Sequence, residues 1–233
     1  MQPDQNVIGV TENLASILES LAASAVEAAR DPGSVGLLAV SKKQPLSKIL
    51  AAARAGQRDF GENFVQEGLQ KIEQTRDLDL VWHFIGHLQS NKTRLVAEVF
   101  DWVHTIDTLK TAKRLSAQRP DSLPPLNICL QVNVDNEAQK SGVLPEEVSV
   151  LAEACRELPR LCLRGLMCLP VARSELSEQR APFATLRRLA DELRDRGFDL
   201  DTLSMGMSGD YHAAILEGST IVRIGTALFG QRD

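Results

Sequence analysis

No apolar run in this sequence approaches the ~20 residues that a membrane-spanning helix needs. The amino terminus, MQPDQNVIGVTENL, lacks the basic region and apolar core of a secretory signal. Both absences point to a cytoplasmic location. Positive charge is not in excess either: 26 Lys and Arg stand against 31 Asp and Glu, a formal net charge of -5, with the two signs interspersed. Nucleic acid and anionic membrane both need a basic footprint, so neither is expected as the main partner. The four cysteines, Cys129, Cys155, Cys162 and Cys168, form no C-x-x-C pair and mostly lie in apolar segments. They are expected to be reduced, buried thiols. The sequence contains neither G-x-x-x-x-G-K-[ST] nor G-x-G-x-x-G. GMSGD (206–210) carries aspartate where a nucleophile elbow needs its second glycine, so no serine-hydrolase case follows.

No Gly/Ser/Pro-rich linker or low-complexity tract divides the 233 residues, and a single domain over 1–233 is expected. A chain of this length removes roughly 70–75% of its unfolded surface from water, enough for a sizeable core. Val10, Leu14, Ile17, Leu18, Leu21 and Ala25 fall at helical spacing and predict a first helix, ended by DPG at 31–33. Short apolar or β-branched runs then alternate with helical patterns. The runs are GLLAVSK (36–42), RDFGEN (58–63), WHFIGH (82–87), WVHTID (102–107), NICLQVN (127–133), CLRGLMC (162–168), TLSMGM (202–207) and TIVRIGT (220–226). Between them lie helical stretches such as PLSKILAAARAG and FATLRRLADELRDRG, the latter closed by a glycine in the stop position. Eight strands separated by helices predict a (β/α)8 TIM barrel preceded by an N-terminal helix. A doubly wound open sheet is the alternative. It usually has fewer strands and leaves two edges to protect.

In such a barrel, chemistry sits at the C-terminal ends of the strands. Those ends here are Lys42, Asn63, His87, Asp107, Asn133, Met167, Met207-Ser208 and Gly225-Thr226. Barrels often hold phosphate with the loops after strands seven and eight. In this chain those loops carry Ser208, Gly209, Gly225 and Thr226, which equally suit plain helix caps and turns. Arg223 lies inside TIVRIGT at the parity of Ile221 and Gly225, where burial demands a partner: a structural salt bridge or a bound cofactor. A phosphate across the mouth from a semi-buried Lys42 suggests pyridoxal 5'-phosphate held as a Schiff base. Imine formation needs a neutral amine, which desolvation or a flanking cation supplies. Arg223 would then face the pyridine nitrogen, keeping it unprotonated and weakening the electron sink. Lys42 is preferred to Lys43 because it shares parity with Leu38 and Val40, although parity does not say which face is inward.

His83 and His87, four apart in HFIGH, invite a zinc reading, but the metalloprotease motif needs a helix and a glutamate where Phe84 stands. Asn63 and Asn133 either bond a ligand or end their strands. RRLADELRDRG reads as a solvated helix face.

LLAVSKKQP, AGQRDFGENFVQE, WHFIGHLQSNK, VHTID, QVNVDNEAQKSG, LRGLMCLP, LSMGMSGDYHAAI and STIVRIGTALFGQR, in this order, closely resemble the pyridoxal phosphate homeostasis protein family of the YggS and PROSC type. The resemblance implies a single-domain barrel similar to the N-terminal domain of alanine racemase, with the cofactor on Lys42 in VSK. It carries the phosphate-binding positions to Ser208, Gly225 and Thr226 and the ring-nitrogen arginine to Arg223. It also implies a role in cofactor homeostasis, with little or no turnover and with apoenzymes that require pyridoxal phosphate as candidate recipients. The sequence leans the same way. Racemases of this fold add a second β domain and a tyrosine from the partner subunit, whereas this chain ends seven residues after Thr226 and holds one tyrosine, Tyr211. The alternative is a minimal racemase or lyase with Tyr211 or His87 as second acid/base. Lys43, Lys92 and Lys140 are candidate secondary cofactor sites. A closed barrel with no unusually apolar helix face predicts a monomer.

Overall fold

The computed structural model describes residues 5–137 and 139–231. Eight parallel strands close in sequence order into a barrel, each neighbour pairing with the next and the eighth returning to the first. They are β1 (Gly36–Val40), β2 (Asp59–Glu62), β3 (Val81–Phe84), β4 (Trp102–Ile106), β5 (Leu126–Val132), β6 (Leu161–Cys168), β7 (Thr202–Met207) and β8 (Ile221–Ile224). Every run expected to be a strand is one. Strands covered on both faces need apolar side chains in both directions, so they read as short continuous apolar runs.

The outer ring comprises α1 (Gln5–Glu27), α2 (Leu46–Arg54), α3 (Val65–Gln74), α4 (Thr93–Val99), α5 (Leu109–Gln118), α6 (Val148–Arg156), α7 (Leu176–Asp195), α8 (Tyr211–Leu216) and α9 (Thr226–Phe229). Helix α1 buries Val10, Leu14, Leu21 and Ala25 against α2, α8 and α9. Leu18, expected on that face, is 45% exposed, at the edge of the apolar stripe. Helix α7 starts well before the expected Phe183 and runs through Pro182. The proline deletes one backbone bond near the helix start, and the buried side chains of Pro182, Phe183 and Leu186 keep the element docked. Gly197, just past its end, has φ +81°, as the stop position requires.

Parity now acquires a direction. Leu37, Ala39, Phe60, Trp82 and Phe84 face the helices, whereas Leu38, Val40 and Ile85 pack together with Ile221 inside the barrel. The register Leu38↔Arg223 places the arginine in that interior. Three cysteines are buried as expected, but Cys162 is exposed. It stands near the start of the eight-residue β6, whose first residues project past the covered sheet at the barrel base. No helix among the described residues is long and apolar enough to cross a membrane.

Candidate functional site

At the C-terminal mouth a cavity of about 320 Å³ is lined by Lys42, Asn63, Ser208, Arg223, Gly225 and Thr226, together with Gly209 and the apolar Val40, Ile85, Met167, Leu169 and Met207. Lys42, Asn63, Ser208, Arg223, Gly225 and Thr226 thus meet in one place, whereas Asn133, offered beside Asn63, lines an adjoining pocket. A larger cavity of about 610 Å³ lies among Arg156, Cys162, Phe198 and Asp201, at the strand N-termini, away from the end where this fold builds its sites.

Lys42 continues the inward parity of Leu38 and Val40, and it is half-buried. Its backbone is gripped on both sides. The Ser41 carbonyl before it accepts from Lys71 Nζ at 2.7 Å, and the Lys43 amide after it donates to Glu67 Oε1 at 2.5 Å. Lys71 Nζ also lies 2.7 Å from Glu62 Oε1 and 2.7 Å from Glu67 Oε1, and the Ser41 hydroxyl donates to Glu62 Oε1 at 2.6 Å. Glu62 points outward from β2 beneath α3, and burial raises its pKa against the opposing pull of Lys71. Lys43 turns away with φ +57° and is exposed.

Arg223 is 5% exposed. Its Nη1 donates to the Ser204 carbonyl at 2.5 Å and to Ser204 Oγ at 2.8 Å, and Nη2 donates to the Cys168 carbonyl at 2.8 Å. A guanidinium has five N–H donors. The remaining two have no hydrogen bond among the described residues, and no carboxylate there lies within ion-pair distance. The expected choice between a structural salt bridge and a ligand is thus narrowed. Burial lowers the arginine's pKa, yet a guanidinium remains charged.

Near its end β7 shifts register at Gly206, with φ +97°, where a Cβ would stand 2.8 Å from the Ala214 Cβ. Asp210 occupies the N-cap position of α8, and its Oδ1 accepts from the Met207 amide at 2.6 Å. Ser208 and Gly209 are left exposed at the rim. Asn63 follows β2, and its amide oxygen is buried without a partner. By contrast, Asn133 is satisfied within its own loop: Nδ2 donates to the Glu137 carbonyl at 2.8 Å and Oδ1 accepts from the Glu137 amide at 3.1 Å. Asn63 is the asparagine with unmet bonding capacity.

A second pocket of about 320 Å³ shares Asn63, Ile85 and Leu169 with the first and adds His87, Thr105, Gln131, Asn133 and Lys140. Lys92 lines a third, beside His87 and Phe64. His87 is exposed at the mouth whereas His83 is buried within the barrel, so the two share no site. Tyr211 packs against the core and does not line the cavity. The grip of Lys71 and Glu67, and a buried His83–His104 pair, were not foreseen; a polar residue at inward strand parity was the signal available for His83.

Comparison with known proteins follows from these features. The family described as alanine racemase, N-terminal domain, matches residues 18–233. The chain is 57% identical over 224 residues to the pyridoxal phosphate homeostasis protein of Pseudomonas aeruginosa, covering 96% of each chain. It is 52% identical over 230 residues to the protein of that name from Escherichia coli, covering 96% of this chain and 97% of that one. The solved structure of PipY from Synechococcus elongatus with PLP bound is 38% identical and superposes with a TM-score of 0.83, over 95% of this chain and all of that one (100%).

Proposed function

The chain belongs to the pyridoxal phosphate homeostasis protein family, and from that premise we propose that it holds pyridoxal 5'-phosphate in the cavity at its barrel mouth. The observation that carries this reading is the convergence of Lys42, Arg223 and the loops after β7 and β8 on one cavity. The donor set fits the cofactor. Asn63 has a buried acceptor without a donor, Arg223 has two N–H groups to spare, and Ser208, Gly209 and Thr226 are exposed at the rim.

When bound, the cofactor supplies an aldehyde that condenses reversibly with a primary amine, and a pyridine ring that withdraws electrons. Lys42 provides the amine, on a backbone fixed at both flanking peptides. Arg223 donates to the ring nitrogen and cannot surrender a proton to it. Ser208, Gly225 and Thr226 offer hydroxyls and backbone amides to the phosphate, and Asn63 accepts from a ring hydroxyl. Among the lining residues Lys42 is the one titratable side chain besides Arg223, which stays charged. Racemisation needs a second acid/base on the opposite face. That supports a carrier with little or no turnover, handing the cofactor to apoenzymes that require it. It would act as a cytoplasmic monomer, a state supported by the closed barrel's lack of a free sheet edge. A minimal racemase or lyase is the competing reading, with His87 in the adjoining pocket as its candidate acid/base.

The test is the absorption spectrum with and without added pyridoxal phosphate, followed by borohydride reduction and peptide mapping. A band fixed onto Lys42, absent in Lys42→Ala, is expected. An adduct confined to Lys43, Lys92 or Lys140 overturns the assignment, and amino acid turnover lost in Lys42→Ala establishes the enzyme instead.

A further inference from the structure

TIM-barrel interiors are usually filled by layers of branched apolar side chains. In this barrel two histidines lie there, His83 at 1% and His104 at 0% exposure. They belong to a continuous chain of hydrogen bonds. Asp59 Oδ1 is 3.0 Å from His83 Nε2, and His83 Nδ1 is 2.9 Å from His104 Nε2. His104 Nδ1 is 2.8 Å from Ser204 Oγ, which is in turn 2.8 Å from Arg223 Nη1. Asp59 opens β2 at the base of the barrel and is half-exposed, whereas Arg223 lines the mouth. The chain thus crosses the barrel from one end to the other.

Its two ends fix its direction. A guanidinium only donates and a carboxylate only accepts. With both rings neutral, one arrangement satisfies every link. Arg223 donates to Ser204, the Ser204 hydroxyl to His104 Nδ1, His104 Nε2–H to His83 Nδ1, and His83 Nε2–H to Asp59. Burial first, with Arg223 acting in the same direction, holds the His104 pKa well below the usual histidine range, which keeps that ring neutral.

We propose that Asp59, His83, His104 and Ser204 are positioning residues for Arg223: a one-way relay that orients its guanidinium toward the cofactor's ring nitrogen and carries its counter-charge at the far end of the barrel. This rests on the cofactor reading above. The need for such a device is visible in the geometry. Arg223 is buried, its direct acceptors are the neutral Ser204 and Cys168, and an isolated buried charge is costly. Aligned hydrogen bonds polarise one another, so the relay extends the influence of the Asp59 carboxylate inward. Asp210 is the carboxylate that acts on Arg223 directly, and it lies beyond ion-pair distance with its Oδ1 engaged by the Met207 amide. Histidines that only filled space would need neither this order of partners nor a single tautomer.

The experiment combines nitrogen-15 NMR of the imidazoles in the cofactor-free protein with titration by pyridoxal phosphate. At pH 8 both histidines are expected as neutral Nε2–H tautomers, and cofactor binding should shift the His104 signals, whereas inorganic phosphate should not. Ser204→Ala, which removes one oxygen, should disturb the His104 tautomer. It should also weaken cofactor binding roughly tenfold, about the worth of one hydrogen bond to a charged group, with a displaced absorption band. Asp59→Asn keeps an acceptor but not the charge and should weaken binding several-fold. His104→Gln retains an acceptor and a donor and should bind more tightly than His104→Leu. An Nδ1–H tautomer at His104, or wild-type affinity and spectrum in both folded Ser204→Ala and Asp59→Asn, overturns the relay. A wild-type protein that takes up no cofactor at Lys42 sinks the cofactor reading and the purpose assigned to the relay with it, while the tautomers still report on the chain itself.

Discussion

Replacing Lys71 by methionine would remove a buried charge from beneath the Lys42 loop while leaving most of the side-chain volume. The ammonium is shared by Glu62, Glu67 and the Ser41 carbonyl, each at 2.7 Å, and the side chains of Lys71 and Glu62 are 8% and 0% exposed. Breaking a buried pair by deleting one partner costs about 3–5 kcal/mol, chiefly because the other charge is left uncompensated. Here that charge is the Glu62 carboxylate. It would keep only the Ser41 hydroxyl, and its second oxygen already lacks a partner.

Glu62 can escape by taking a proton, which gives the prediction a pH signature. Its pKa is already raised, by burial first, and loss of Lys71 removes the main opposing influence. A carboxyl whose folded pKa exceeds its unfolded value favours folding while protonated. Stability is then lost as pH rises from the unfolded carboxyl range through the folded pKa. The cost of Lys71→Met should therefore be about 3–5 kcal/mol at pH 8. At pH 5 it should be smaller by at least ~1.4 kcal/mol, the equivalent of one pKa unit. Urea unfolding of both proteins at the two pH values measures this. A second substitution, Glu62→Leu, should restore most of the loss, since an apolar replacement of a buried pair is often neutral. A cost that is the same at both pH values, or one below ~1 kcal/mol at pH 8, would refute the account of a buried carboxylate that depends on Lys71.

The irregular end of β7 that leads into Ser208 should also be intolerant. Gly206→Ala forces a non-glycine residue into φ +97° and against Ala214, so calorimetry should show a loss of about 1–3 kcal/mol with weaker cofactor uptake; an unchanged melting temperature would count against the strain. Thiol labelling at pH 8 should modify Cys162 alone in the native protein and all four cysteines in denaturant. Burial pushes the Cys155 thiol up to about 11 and the Cys168 thiol up to about 12, and raises that of Cys129 as well, so a second rapidly labelled thiol would contradict the packing.

The barrel was legible because most strand ends coincide with a change from apolar to polar residues, β6 with its LMCLP being the exception, and the fold concentrates those ends on one face. Lys42, Asn63, Ser208, Gly225 and Thr226 stand at such ends, as do His87, Asp107 and Asn133, which line no part of the same cavity; Arg223 was legible instead as a charge among apolar neighbours inside β8. The two networks behind them were not legible, for different reasons. Glu62 and Lys71 lie nine residues apart and meet only because β2 turns Glu62 outward while α3 folds back over it. His83, His104 and Ser204 come from β3, β4 and β7, and their adjacency depends on register. The pairing of β4 shifts between Val103 and Ile106, so alternation along WVHTID does not by itself assign faces. Cys162 and Leu18 were misplaced because apolar neighbours in sequence do not reveal where a strand outruns its cover or a helix turns its flank.

The two networks act on opposite sides of the sheet. Lys71 and Glu67 fix the Lys42 backbone from the helical layer, and the Ser204–His104–His83–Asp59 chain reaches Arg223 through the barrel interior. Apart from the half-exposed Asp59, both consist largely of buried charges or polar groups, whose desolvation is costly unless every member is bonded. That expense falls on the two residues assigned to the aldehyde and the ring nitrogen. The positions assigned to the phosphate, by contrast, are held by short turns, and Ser208, Gly209 and Thr226 are exposed. A pocket built in this way has a rigid side at the two positions proposed for the covalent and ring contacts and is open at the proposed phosphate end. For a carrier, such a division lets affinity be set on the rigid side while exchange proceeds from the exposed rim.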